Sequence, residues 1–89
     1  MGWLQKYDDV LVQEIDEELV LLNLSTEEYY ALNRTARRFW EVALIQGSRE
    51  GVVDALQREF GVDAGRIAGD LDRIVRALED RRLAQVCGA

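Results

Sequence analysis

The sequence predicts an α+β domain, a three-stranded antiparallel sheet followed by three helices. Up to Leu32 the apolar residues come in short β-branched or aromatic runs, and from Asn33 they recur at helical spacing. Strands grouped first and helices grouped after them follow the α+β order rather than alternating βαβ units. With 89 residues and no linker, repeat or low-complexity tract, the chain reads as one domain over residues 1–89, its core over about 8–83.

The first strand is Val10–Ile15, short, β-branched and bounded by acids. Asp16-Glu17-Glu18 is a polar break. Glu18–Leu24 is a near-continuous apolar run, and its length and flanks favour a central strand over a buried helix. Ser25-Thr26-Glu27 is a second break of turn-forming residues. Glu28–Leu32, aromatic and short, follows. Three such runs joined by short breaks form a meander. Trp3 and Tyr7 precede the first strand and are expected to cover the base of the sheet.

Asn33 is placed to cap the first helix, whose apolar face is Ala36, Phe39, Trp40, Ala43 and Leu44. Phe39, Trp40 and later Phe60 are expected in the core. Gln46-Gly47 ends this helix and Ser48 caps the next, with Val52, Val53, Leu56 and Phe60 on one face and Gly61 as a left-handed stop. Asp63 caps a third helix, which carries Ile67, Leu71, Ile74, Val75 and Leu78 on one stripe and runs to about Arg82. The tail from Gln85 to Ala89 carries no strong signal. Two short helices and a longer one form a helix-turn-helix core. With a sheet attached, the expected arrangement is winged helix-turn-helix-like.

Composition removes several functions. There is no His, which takes away the usual general base and the commonest metal ligand. The single Cys, Cys87, forms neither an internal disulfide nor a cysteine metal cluster. A self-sufficient enzyme is therefore not expected, nor catalytic residues, a metal site or a cofactor. No window reaches the roughly 18 apolar residues of a membrane span, and the start lacks the apolar stretch of a signal peptide. A soluble, cytoplasmic protein with no membrane partner is expected.

Charge is uneven. The net charge is −6, yet residues 1–32 hold one Lys and eight acids, while residues 33–89 hold ten Arg and nine acids. The acidic third reads either as charge that keeps a small domain soluble or as a surface that attracts a basic partner. It repels nucleic acid. The rival reading, a winged-helix DNA-binding regulator, needs a basic stripe. In the third helix, however, Arg66, Arg73, Arg76, Arg81 and Arg82 are nearly cancelled by Asp70, Asp72, Glu79 and Asp80. No nucleic-acid partner is expected. Arg34, Arg37 and Arg38 read as a solvated helix face, with docking of an acidic partner enzyme as the alternative.

The run Tyr29-Tyr30-Ala31-Leu32-Asn33, then Thr35-Ala36 and Trp40, is similar to the strand-to-helix signature of the PqqD-like family. Phe60, Val62 and Asp63, followed by Asp70-Leu71, Ile74-Val75 and Leu78, resemble its last-helix pattern. The resemblance covers roughly residues 10–83. One departure is Arg81-Arg82-Leu83, where the family often has Gly-Leu-Leu. The resemblance implies a recognition element for ribosomally made, modified peptides. It implies a precursor's leader bound as a strand beside the third strand, with the last helix closing the cleft. A free-standing chain of this size looks most like the leader-binding partner in lasso peptide biosynthesis. The implied partners are then the leader region, a transglutaminase-like cysteine protease acting as leader peptidase, and a macrolactam synthetase.

Capture of a peptide by strand addition needs a free sheet edge and pockets for alternate side chains. The expected edge is Glu28–Leu32. Glu28, Tyr30 and Leu32 share one face, Tyr29 and Ala31 the other, and the small Ala31 lets a second backbone approach. On the third helix Ile67, Leu71 and Leu78 fall mid-stripe. Asp70, Ile74, Ala77 and Arg81 flank one side, which is favoured to line the cleft; Ala68, Val75 and Arg82 flank the other. The candidate peptide-binding set is Glu28, Tyr29, Tyr30, Ala31, Leu32, Ile67, Asp70, Leu71, Ile74, Val75 and Leu78. Asp70 either accepts from the peptide or balances Arg66 or Arg73 on its own helix. Cys87 is expected to be a bystander.

Overall fold

The structure is a computed structural model that describes residues 2–87. The elements run β1 (Leu4–Lys6), β2 (Val10–Ile15), β3 (Glu18–Asn23), β4 (Tyr29–Leu32), α1 (Arg34–Ile45), α2 (Arg49–Phe60), α3 (Ala64–Asp80) and β5 (Ala84–Val86). The α+β order holds, with a correction. Besides the antiparallel β2-β3-β4 sheet there is a separate two-stranded sheet, β1-β5. It pairs Leu4 with Val86 and Lys6 with Ala84, so Gln85 and Val86 belong to a strand; Gly88 and Ala89 lie outside the described residues.

The N-terminus reaches this position by lying against the end of α1. Trp3 N–H donates to the Gln46 carbonyl at 2.6 Å. A Cβ on Gly2 would sit 1.9 Å from the Leu44 carbonyl oxygen, so only glycine fits that approach.

Register explains which residues reach the core. Leu19 pairs with Leu32 and Leu21 with Tyr30; their side chains share the face turned to the helices, and Leu19, Leu21 and Leu32 are buried. Trp40, Ala43, Val52, Leu56, Leu71 and Leu78 close over them. Each buried leucine contributes ~1.5–3 kcal/mol against solvent exposure. Phe60, expected in the core, is 37% exposed. Its ring meets Phe39 at 6.0 Å, because the last residue of α2 lies at the rim, where the helix stops.

The expected caps are in place. Asn33 Oδ1 accepts from Ala36 N–H, Ser48 Oγ from Gly51 N–H and Asp63 Oδ2 from Gly65 N–H. Gly61 ends α2 at φ 66°. The last helix stops at Asp80, two residues short of the expected end. Arg82, one residue past the position where the related pattern has glycine, takes φ 54°. Leu83 N–H donates to the Leu78 carbonyl at 2.9 Å and Arg82 N–H to Glu79 at 3.0 Å, a Schellman ending. The buried Asn23 holds this turn: its Nδ2 donates to the Arg82 carbonyl at 2.7 Å, and its Oδ1 accepts from Ser25 and Thr26 N–H.

Candidate functional site

β4 is an edge of its sheet. Asn23 N–H donates to the Glu28 carbonyl at 2.8 Å. Antiparallel ladders alternate bonded and non-bonded pairs, so Tyr30 and Leu32 bond to β3, and Tyr29 and Ala31 turn their main-chain groups outward. The strand itself is Tyr29–Leu32, and the carbonyl of Glu28 is already engaged at the turn.

A groove of about 400 Å³ runs along this edge. Tyr30 and Ala31 form one side. Thr35, Ala36 and Phe39 of α1 lie at its base, and Asp70, Arg73 and Ile74 of α3 form the other side. Glu18, at the start of β3, also lines it. Of the candidate residues on α3, Asp70 and Ile74 reach the groove. Ile67, Leu71, Val75 and Leu78 are buried in the core instead. Tyr29 is 65% exposed, while Tyr30 packs against the core.

Two cationic contacts shape the groove. Asp70 pairs with Arg73 at 3.3 Å. The Arg81 guanidinium lies over the Tyr30 ring, 4.9 Å from its centre, and donates to the Ala77 carbonyl at 3.1 Å. A cation on a phenol face adds about 0.5–1 kcal/mol at an exposed site. The helical period puts Arg81 on one flank with Asp70 and Ile74; its place over Tyr30 was not expected from the sequence. Nor does the sequence mark Glu18, Thr35 or Arg73 as groove residues, and it assigns Phe39 only to the core. The one local signal available was the spacing of Asp70, Arg73, Ile74, Ala77 and Arg81, which puts them on one strip of the helix.

Away from the groove Arg34, Arg37, Arg38 and Arg49 are used within the fold. Arg37 pairs with Glu14 and Glu41, Arg38 with Glu41 and Glu59, and Arg34 with Glu17. The Glu14 and Glu41 carboxylates raise Arg37 above its ordinary pKa. Arg38 lowers both Glu41 and Glu59 by donating hydrogen bonds to their charged forms. Arg49 is likewise raised by Asp72.

Among the described residues no group of three or more Asp, Glu or Cys side chains is placed to hold a metal ion, and no helix is long and apolar enough to cross a membrane. Cys87 is half-buried beside β1, its Sγ 2.9 Å from Gln5 Oε1, and does not line the groove.

A comparison with curated proteins gives no match. Among solved structures, one described as "TbiB1 in Complex with the TbiA(beta) Leader Peptide" is similar at a TM-score of 0.80 and 32% identity, covering 96% of this chain and 99% of that one. A second, "Lasso peptide synthetase B1 complexed with the leader peptide", is similar at a TM-score of 0.81 and 25% identity, covering 94% of this chain and 99% of that one. The family described as Coenzyme PQQ synthesis protein D matches residues 18–84, and by that match the chain belongs to the PqqD family.

Proposed function

We propose that this chain is a non-enzymatic adaptor of lasso peptide biosynthesis that binds the leader of a ribosomal precursor peptide as an added strand. The observation that carries this reading is the outward-turned backbone of Tyr29 and Ala31 beside a groove with an apolar floor. That both similar structures are leader-peptide complexes supports it. The leader strand pairs with Tyr29 and Ala31 and places alternate side chains between Tyr30 and Ile74. Asp70, Arg73 and Arg81 read the polar positions of the peptide. Glu28 and Leu32 bound the edge, and Ile67, Leu71, Val75 and Leu78 hold α3 at the distance the peptide needs. The arrangement is a winged helix-turn-helix used for peptide rather than DNA. In the cytoplasm the chain presents the bound precursor to a leader peptidase, a transglutaminase-like cysteine protease, and then to a macrolactam synthetase.

The test is calorimetry with the two halves of the precursor. The leader half should bind at a ratio of one to one and the remainder should not. Mass spectrometry of the full precursor after incubation should show an unchanged mass. Binding of the remainder alone sinks the leader-recognition reading, and a mass change that survives Cys87→Ala sinks the adaptor reading.

A further inference from the structure

Leu19, Leu21 and Asn23 form the inward row of β3, and all three are buried. The last place in that row asks for an apolar residue. Among the described residues Asn23 is instead the one buried polar side chain, 3% exposed. A buried amide is costly unless its donor and its acceptor are both bonded.

Those bonds reach both walls of the groove. Asn23 Oδ1 accepts from Ser25 N–H at 2.9 Å and Thr26 N–H at 3.0 Å, and the Asn23 main chain bonds to Glu27 and Glu28, which lead into β4. On the other side Nδ2 donates to the Arg82 carbonyl at 2.7 Å, just past α3. Arg82 is left-handed at φ 54° without being glycine, a conformation that an L side chain adopts only against a cost. The bond from Asn23 offsets that cost and fixes the direction in which the chain leaves α3. The adjacent Arg81 lies over the Tyr30 ring, and Tyr30 lines the groove. The end of α3 thus meets the sheet at two neighbouring points, Arg82 on Asn23 and Arg81 on Tyr30. Leu78 before this turn and Leu83 after it are buried. Their apolar contact is non-directional, whereas the amide–carbonyl bond orients the turn between them.

We propose that Asn23 is a positioning residue for leader binding. It does not line the groove itself. It ties the turn before β4 to the turn after α3, and so holds Arg81 on Tyr30 in the geometry that accepts the added strand. The proposal rests on the leader-binding reading above and adds to it a residue outside the groove that sets leader affinity.

The test uses the purified chain and a fluorescein-labelled synthetic peptide of the whole leader encoded with it. Asn23→Asp keeps an acceptor for Ser25 and Thr26 and removes only the donor to Arg82. With circular dichroism showing a folded variant, leader affinity by anisotropy should fall about fivefold or more. A role confined to stability would lower the melting temperature and leave the affinity of the folded variant at the wild-type value; that result overturns the proposal. Arg81→Gln alone should cost about threefold. Combined with Asn23→Asp it should add less than about twofold, because both changes remove the same placement of Arg81. Losses that simply multiply overturn the route through Arg81. Should Asn23→Asp not fold, Arg82→Gly is added to it, since glycine at φ 54° carries no left-handed cost and steadies the turn without restoring the tie. That double variant should bind about fivefold more weakly than Arg82→Gly alone, and equal affinities overturn the proposal. A wild-type chain that does not bind the leader strikes the groove reading and this proposal with it; wild-type binding beside an unaffected variant strikes this proposal alone.

Discussion

β2 and β4 are the two edges of one sheet, yet they are finished differently. At β2 the edge is already occupied at one end. Lys6 Nζ donates to the Val10 carbonyl at 2.9 Å, and Val10 N–H donates to the Tyr7 carbonyl at 3.1 Å. Farther along, the Glu14 side chain is taken by Arg37. Charge and local bonds of this kind blunt an edge against pairing. At β4 the outward groups of Tyr29 and Ala31 face a groove whose far side is α3. The helix is held there by its buried face, Ile67, Leu71, Val75 and Leu78, and Asn23 ties the turn after it to the end of β3. An exposed edge is thus not by itself a recognition site. A groove closed on its far side by Asp70, Arg73 and Ile74 of α3 is what distinguishes β4.

The sharpest way to break this comparison is proline at matched positions. Ala31 and Val12 both turn their N–H away from β3, so proline at either spares the sheet's own ladder. Ala31→Pro removes a donor and sets a ring against the incoming strand, and leader affinity should fall by roughly a hundredfold or more while the fold is kept. Val12→Pro should leave leader affinity unchanged. Equal losses by calorimetry would show that the edges do not differ in this way. Tyr30→Pro is a poor probe, because Tyr30 N–H serves the ladder to β3.

A smaller effect is expected from the far side of the groove. Ile74 is 7% exposed and offers the apolar surface opposite β4. Losing one aliphatic contact of ~1.5–3 kcal/mol corresponds to about 10- to 150-fold in affinity. Ile74→Glu adds an unpaired charge to that loss. Anisotropy with a folded variant checks it; wild-type affinity would move the cleft to the Val75 flank.

The smallest effect belongs to the ion pairs that join α1 to α2. Arg38 holds Glu41 and Glu59 below the usual carboxylate range. Their stabilisation is complete above the unfolded carboxylate value of about 4.3 and is lost as pH falls through the lower folded values. These pairs are partly exposed, so about 1 kcal/mol or less is expected, a few degrees in melting temperature. Arg38→Gln should lower the melting temperature by that amount at neutral pH and by progressively less as pH falls through the lowered folded values. A gap that persists in acid would mean the network does not act through these carboxylates.

Much of this protein was legible in the residues themselves. The order of strands and helices, the caps at Asn33, Ser48 and Asp63, the stop at Gly61 and the alternation within β4 all follow from interactions within a few residues. So did the Asp70–Ile74–Arg81 flank of α3, because helical period alone sorts side chains onto strips. Other features arose only on folding. The β1-β5 sheet joins Leu4 to Val86, and strands of three residues are too short to show alternation. Phe60 left the core because the position of α2 against α1 put its last residue at the rim. Arg82 adopted a left-handed turn because Asn23, distant in sequence, holds its carbonyl. The groove itself is set by the spacing between β4 and α3. That spacing is a property of packed surfaces, and no local pattern of residues encodes it.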